Sequence, residues 1–236
     1  MAEYLVHSTD LTAVADAIRQ KGGTTELLQF PEGFVSAVEA IQTGSGTAAE
    51  DKMTKYVQGQ LTELVDSGIT AVNANYLGYQ NSAFTLVDLP NAAGECKSYA
   101  FYFATGLTTC NLPKITSLGN ACFMYSKLKN TNFSALETIK AECFRSCTSL
   151  TRIDLPALKE IKGASHFSGC TSLTTVILRS STMVTIENAN TFNNTPIASG
   201  AGYIYVPADL VSTYQAASIW SIYAAQFRAI EDDPDI

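Results

Sequence analysis

The sequence predicts an α+β chain: a small N-terminal helical region, then a solenoid with one short strand per coil, then a C-terminal helical cap. Three observations carry that expectation. Segments beginning at Phe84, Leu107, Leu128, Leu150 and Leu173 align as Phe84-Val87-Leu89, Leu107-Cys110-Leu112, Leu128-Thr131-Phe133, Leu150-Ile153-Leu155 and Leu173-Val176-Leu178. Their starts are spaced by 23, 21, 22 and 23 residues, and a fixed period in the twenties marks units that bury an apolar face only by stacking on their neighbours. A second apolar rhythm follows each strand, with Ile115, Leu118 and Phe123 matched by Leu136, Ile139 and Phe144, then by Leu158, Ile161 and Phe167. At both ends the period gives way to helix punctuation.

From the N-terminus, Ser8-Thr9-Asp10 is a helix-start cluster, followed at helical spacing by Leu11, Val14, Ala15 and Ile18 and closed by Lys21 and Gly22-Gly23. Pro31 opens a second helix after Phe30, with Phe34, Val35, Val38 and Ile41 as its apolar stripe. Residues 1–43 are therefore expected to form a helical hairpin whose apolar residues (Leu11, Val14, Ile18, Phe30, Phe34, Val38, Ile41) dock on another surface, as an anchor or assembly module. Residues 44–68 hold a Gly/Ser/Thr linker and a third helix from Ala48 to about Val65, with Met53, Tyr56, Val57, Leu61 and Leu64 on one side. The solenoid is assigned to residues 69–206, its first turn irregular around Ile69, Val72 and Leu77. Residues 207–236 are assigned to the cap: Pro207 starts a helix with Leu210, Val211 and Tyr214, and Trp220, Tyr223 and Phe227 follow. The acidic run Glu231-Asp232-Asp233-Pro234-Asp235 reads as a solvated, disordered end.

Composition excludes several classes. Apolar residues make up 46% of the 236 and charged residues 16%, which is globular and not disordered. A net charge of -7 argues against a nucleic-acid surface. No apolar run approaches the roughly 20 residues that span a bilayer, so membrane insertion is not expected. Met1 to His7 has no basic region ahead of a long apolar one, so no Sec signal peptide is expected either.

The six cysteines fall on repeat positions. Cys110 occupies the inward strand slot of Val87, Ile153 and Val176; Cys122 and Cys143 precede phenylalanines; Cys147 and Cys170 follow them by three. That placement favours small apolar core residues over disulfides or a metal. Cys143 and Cys147 are spaced C-x3-C without a second pair, a poor zinc pattern, and neither a metal nor a cofactor is expected. His7 with Asp10, or His166 with Cys170, are the only pairs that could be read as catalytic; His166, at a one-residue insertion, is expected to be exposed. The chain is read as a non-enzyme.

The run Phe144-Arg-Ser-Cys147-Thr-Ser-Leu150-Thr-Arg-Ile153-Asp-Leu155-Pro, repeated as Phe167-Ser-Gly-Cys170-Thr-Ser-Leu173-Thr-Thr-Val176-Ile-Leu178, resembles the BspA-like leucine-rich repeat. The closing Ile204-Tyr-Val-Pro207-Ala-Asp-Leu-Val211 with Tyr214 and Trp220 resembles that family's C-terminal cap. Phe123-Met-Tyr-Ser126-Lys-Leu128 departs from the pattern, lacking the cysteine and one residue, and a bulge is expected there. The segment from Tyr4 through Leu11, Ile18, Gly22, Phe30, Gly33 and Val38 to Ile41 resembles a module found at the start of phage virion proteins and prophage-encoded repeat proteins.

These resemblances imply a phage virion structural protein, tail or head fibre-like, assembled in the host cytoplasm. It would bind other virion proteins through its N-terminal module and a host-surface protein or glycan through the repeats, as a homo-oligomer, a trimer by analogy with phage fibres. A cell-surface adhesin is the alternative that BspA-like repeats imply. The candidate binding face is the set of outward strand positions: Thr109, Asn111, Asn130, Asn132, Arg152, Asp154, Thr175 and Ile177. The same residues also read as a plain solvated face. Tyr76, Tyr79, Tyr99, Tyr102 and Tyr125 are a second contact set or an oligomer interface.

Overall fold

The computed structural model describes residues 62–72 and 82–235, all within the compact unit Gly59–Ile236. The helical hairpin and its anchor residues, most of the third helix, and Tyr76 and Tyr79 lie outside the described residues.

The chain is a parallel-strand repeat fold with few helices. Two strands per coil are observed, and not the expected one. The first strands are β1 (Glu63–Val65), β2 (Leu86–Asp88), β4 (Thr109–Asn111), β6 (Asn130–Asn132), β8 (Arg152–Leu155), β10 (Thr175–Leu178) and β12 (Tyr203–Val206). The second are β3 (Ala93–Cys96), β5 (Lys114–Leu118), β7 (Thr138–Ile139), β9 (Glu160–Ile161) and β11 (Thr185–Ile186). Every observed strand pairing is parallel, in three sheets ordered β1-β2-β4-β6, β11-β9-β7-β5-β3 and, with β13 (Phe227–Ala229) added, β13-β12-β10-β8. Most second strands are only two residues long, too short for alternation to show in the sequence.

Register follows the repeat alignment. Val87 pairs with Cys110 and Cys110 with Thr131; Ile153 pairs with Val176 and Val176 with Ile204. Leu64 joins the first row against Val87, so residues 63–65 are a strand and the expected helix does not reach Val65. Glu63-Leu64-Val65 repeats the alternation of Leu86-Val87-Asp88, with Leu64 buried between two exposed neighbours. The first-strand ladder breaks between β6 and β8. The break follows the coil whose Phe123-to-Leu128 corner is one residue short, where a bulge was expected.

The corner of each coil holds a phenylalanine column. Ring centroids stand 5.2 Å apart for Phe101–Phe123, 5.6 Å for Phe123–Phe144, and 5.3 Å for both Phe144–Phe167 and Phe167–Phe192, with the last three pairs within 5° of parallel. Each ring is fully buried, and each such pair contributes about 0.5–1.5 kcal/mol beyond its area.

Around the phenylalanines the backbone alternates in handedness. The residues two before (Tyr99, Ala121, Glu142, Ser165) and two after (Phe103, Tyr125, Ser146, Gly169, Asn194) all have φ between 50° and 77°. This aims alternate amides at the next coil: Phe101, Phe123 and Phe144 donate to the carbonyls of Cys122, Cys143 and His166 at 2.8, 2.8 and 2.9 Å. Glycine takes the later slot only at Gly169; the other side chains there bear a left-handed backbone at a cost of about 1–2 kcal/mol each.

All six cysteines are free and buried. Cys122 and Cys143 precede phenylalanines of the column and Cys147 and Cys170 follow them, while Cys96 and Cys110 stand on β3 and β4. Cys96 and Cys122 sulfurs are 3.1 Å apart, while Cys147 and Cys170 donate to the carbonyls of Phe123 and Phe144 at 3.1 and 3.0 Å. Ser126 fills the missing cysteine's slot, fully buried and 3.3 Å from Cys147 Sγ.

Beyond β12, Ala208–Leu210 is 3-10, α1 (Val211–Ala216) is the only α-helix among the described residues, and Trp220–Gln226 is 3-10 with a kink at Tyr223. Trp220 and Tyr223 pack on Phe192, the last ring of the column. The free edge of β12 is covered by strand β13, where a helix was expected.

Candidate functional site

The predicted face exists as an outward surface of the first strands, and the structure divides it in two. On β2, β4 and β6 the register aligns Leu86, Thr109 and Asn130 in one row and Asp88, Asn111 and Asn132 in the next. Strand geometry sends these side chains outward because the intervening Val87 and Cys110 point in and are buried. Asn111 Nδ2 donates to Asp88 Oδ1 at 2.6 Å, and Asn132 Nδ2 donates to Asn111 Oδ1 at 2.8 Å. The three form a directional polar ladder, with Asn130 and Asn132 exposed and Thr109 and Asn111 half-buried. Asp88 was missed in the sequence, although it occupies the ladder slot one coil upstream of Asn111.

Threonines following the repeat's first apolar residue tie three of the coils to the one before. Thr85, Thr108 and Thr174 hydroxyls donate to the carbonyls of Thr62, Thr85 and Thr151 at 3.0, 3.2 and 3.2 Å.

On β8, β10 and β12 the face is not open. Asp154, Ile177 and Tyr205 are in register, as are Arg152, Thr175 and Tyr203. Ile177 is fully buried and Tyr205 nearly so, which overturns Ile177 as an exposed contact. Asp233 of the acidic segment is buried and ion-paired to Arg152 on this face, so the segment's expected disorder is also overturned. Arg152 grips Asp233 with two bonds, Nη1 to Oδ1 at 3.1 Å and Nη2 to Oδ2 at 2.6 Å, and reaches Asp235 at 3.5 Å. Asp233 is buried while Glu231, Asp232 and Asp235 stay exposed. Since β13 and β8 are opposite edges of this sheet, the Arg152–Asp233 pair ties the turn that follows β13 to the far strand of the sheet. The Arg152 guanidinium holds the Asp233 carboxyl below the usual carboxylate range. Burial, with Asp233 close by, pushes the Tyr205 phenol up.

Asp154 is engaged by Arg179, whose Nε lies 2.9 Å from Oδ2 and 3.1 Å from Oδ1. The guanidinium of Arg228 lies over the Tyr203 ring, 4.6 Å from its centroid. Tyr203 is among the few large hydrophobic residues described that are exposed. Sequence spacing had no way to find Arg179, Arg228 or Asp233, which meet this face from three different segments.

The second set of aromatics partly assembles. Tyr102 lies 5.7 Å from Tyr99 and 6.1 Å from Tyr125, and Phe103, absent from the predicted set, joins at 4.7 Å from Tyr125.

His166 is not exposed. It fills the slot of Cys122 and Cys143, fully buried, with Nε2 2.7 Å from the Lys162 carbonyl and Nδ1 3.3 Å from Thr191 Oγ1. Its ring nitrogens and the Cys170 thiol are thus committed to different partners; His7 and Asp10 lie outside the described residues. Among the described residues no group of three His, Cys, Asp or Glu could hold a metal ion, and no helix is long and apolar enough to cross a membrane.

Short parallel strands, stacked coils and an aromatic column at each corner define a leucine-rich-repeat solenoid. The model of the BspA type leucine rich repeat region matches residues 74–198 in six copies, over half of the sequence, and the chain belongs to that family. A crystal structure of a leucine-rich repeat protein from Bacteroides ovatus ATCC 8483 is similar at 13% identity, covering 64% of this chain and 56% of that one, with a TM-score of 0.30. This chain therefore spans little more than half of that structure's length. No curated protein matches the sequence.

Proposed function

We propose that the protein is a non-enzymatic recognition module that presents the open face of β2, β4 and β6 to a protein or glycan on a bacterial surface. The observation that carries this is the Asp88–Asn111–Asn132 ladder. Each amide orients the next, so donors and acceptors are held in place before a ligand arrives, which lowers the ordering cost of binding. In this reading residues 207–236 are the cap that closes the repeats, and the chain is displayed as a tail or head fibre-like component of a phage virion, a trimer attached through residues 1–43. The resemblance of Tyr4–Ile41 to virion modules supports that setting. Membership of the BspA-type family favours a second setting, display as a cell-surface adhesin.

Labelled full chain incubated with intact cells of a bacterial panel tests the recognition role. Binding to a subset of strains, reduced at least fivefold by Asn111→Ala with Asn132→Ala, is expected; equal binding by both proteins, or by neither, removes the reading. Immunogold labelling of virions against cell envelopes separates the two settings, and light scattering of the full chain tests the trimer.

A further inference from the structure

We propose that the outer face of β8, β10, β12 and β13 is a binding site for an acidic peptide, held closed by the chain's own segment 230–235 acting as an internal ligand. The proposal is separate from the open face on β2, β4 and β6 and does not depend on it.

Three observations converge. The chain carries a net charge of -7 and only five arginines, yet Arg152, Arg179 and Arg228 all meet this one sheet face. Arg152 stands on an outward strand position and makes a two-pronged contact with a carboxylate 81 residues away, the geometry in which guanidinium recognises carboxylate. The segment that supplies this carboxylate is acidic at Glu231, Asp232, Asp233 and Asp235, but only Asp233 turns inward and is buried.

Beneath the segment lies surface suited to a peptide. Ile177 and Tyr205 are outward-facing strand residues that are nonetheless buried, the turn after β13 packs on β12, and Tyr203 is exposed beside them. Adjacent apolar residues on an outward sheet face form the kind of contiguous patch that marks an interaction surface when it is uncovered. Here the cover is held by the ion pairs of Arg152 with Asp233 and Asp235 and by a short 3-10 turn, Ile230–Asp232. Removing it would leave Arg152 unpaired over an apolar floor, with Arg179 already matched by Asp154. An acidic segment of another protein would present the same chemistry. A tethered ligand competes at an effective concentration on the order of millimolar, so the wild-type site takes an outside peptide only weakly.

The test uses the full chain and a fluorescein-labelled, end-capped peptide of residues 229–236 as probe. Fluorescence anisotropy should show the peptide binding Asp233→Asn/Asp235→Asn at least tenfold more tightly than wild type, and Arg152→Gln added to that variant should abolish the gain. Binding unchanged by the double variant, or retained after Arg152→Gln, overturns the proposal. If the double variant does not fold, hydrogen exchange on the wild-type chain decides. Faster exchange of the amides of residues 230–235 in excess peptide supports displacement; unchanged exchange overturns it.

Discussion

Trp220 donates its indole N–H to the carbonyl of Val184 at 2.8 Å, while the amide of the same Val184 donates to the Tyr214 hydroxyl at 2.7 Å. Both backbone groups of a fully buried residue on the final coil are thus satisfied by side chains from beyond the repeats. Tyr223 does the same for the amide of Phe192 while donating to the Ala189 carbonyl at 2.6 Å. In earlier coils the phenylalanine amides donate to the next coil, as Phe144 does to His166 and Phe167 to Thr191, and the Lys159 carbonyl accepts from Thr185 there; at the last coil, aromatic hydroxyls and an indole stand in for such partners. Trp220→Phe keeps most of the packing but strands the Val184 carbonyl, and should lower stability by about 1–3 kcal/mol in urea unfolding. A change below about 0.5 kcal/mol would show that water replaces the indole.

The same arrangement sets an alkaline limit. Burial pushes the Tyr214 phenol up from 10 to about 12, with the Val184 amide opposing it. The unfolded chain releases this proton first, so the stabilisation is complete below pH 10 and is lost as pH rises from 10 to about 12. Urea midpoints measured across that range should fall, and Tyr214→Phe should flatten the decline.

At the acid end the group to watch is His166. Burial pushes its imidazole below 6.5, and the Lys162 carbonyl only partly offsets this. Here the unfolded chain takes up the proton first. Stability is therefore held above pH 6.5 and lost as pH falls below it. Unfolding midpoints between pH 7.5 and 5 should decline in wild type and decline less in His166→Gln; parallel curves would show that His166 has no part in it.

Two glycines separate close approach from backbone handedness. A Cβ on Gly119 would meet Ser98 N at 2.4 Å, backbone against backbone between adjacent coils, whereas one on Gly94, at φ +76°, would meet nothing within 4 Å. Gly119→Ala should cost about 1–3 kcal/mol or more through overpacking, and Gly94→Ala about 1 kcal/mol through its left-handed backbone. Urea titration of both variants checks the order.

The buried thiols should be silent in the native state. Burial raises Cys110 and Cys122, and the thiol of Cys147 together with burial raises Cys170. An aromatic disulfide reagent at pH 8 should label the described cysteines only at the rate at which the chain opens, and all six promptly in denaturant. Rapid labelling of native protein would contradict the packed columns.

What the sequence makes legible is the part that repeats. Val87, Cys110, Ile153 and Val176 announce the inward strand slot because the same kind of side chain recurs there every coil, and Phe123, Phe144 and Phe167 announce the corner for the same reason. The left-handed slots are illegible because Phe103, Tyr125, Ser146, Gly169 and Asn194 share a backbone conformation and no chemistry. His166 was misplaced because a ring in a cysteine slot looks like an insertion until its two hydrogen bonds are seen. The Arg152–Asp233 pair joins segments with no common period, so half of the predicted face proved to be occupied by a partner that no spacing argument could supply.

The phenylalanine column also fixes how such a chain can change length. Each ring from Phe123 to Phe167 meets nearly the same neighbour above and below, so a whole added coil of 22 or 23 residues, the spacing of the last three repeats, finds its contacts waiting on both sides. Tyr214, Trp220 and Tyr223 would simply close a longer stack. A fraction of a coil finds no such place, and length in this architecture is counted in whole turns.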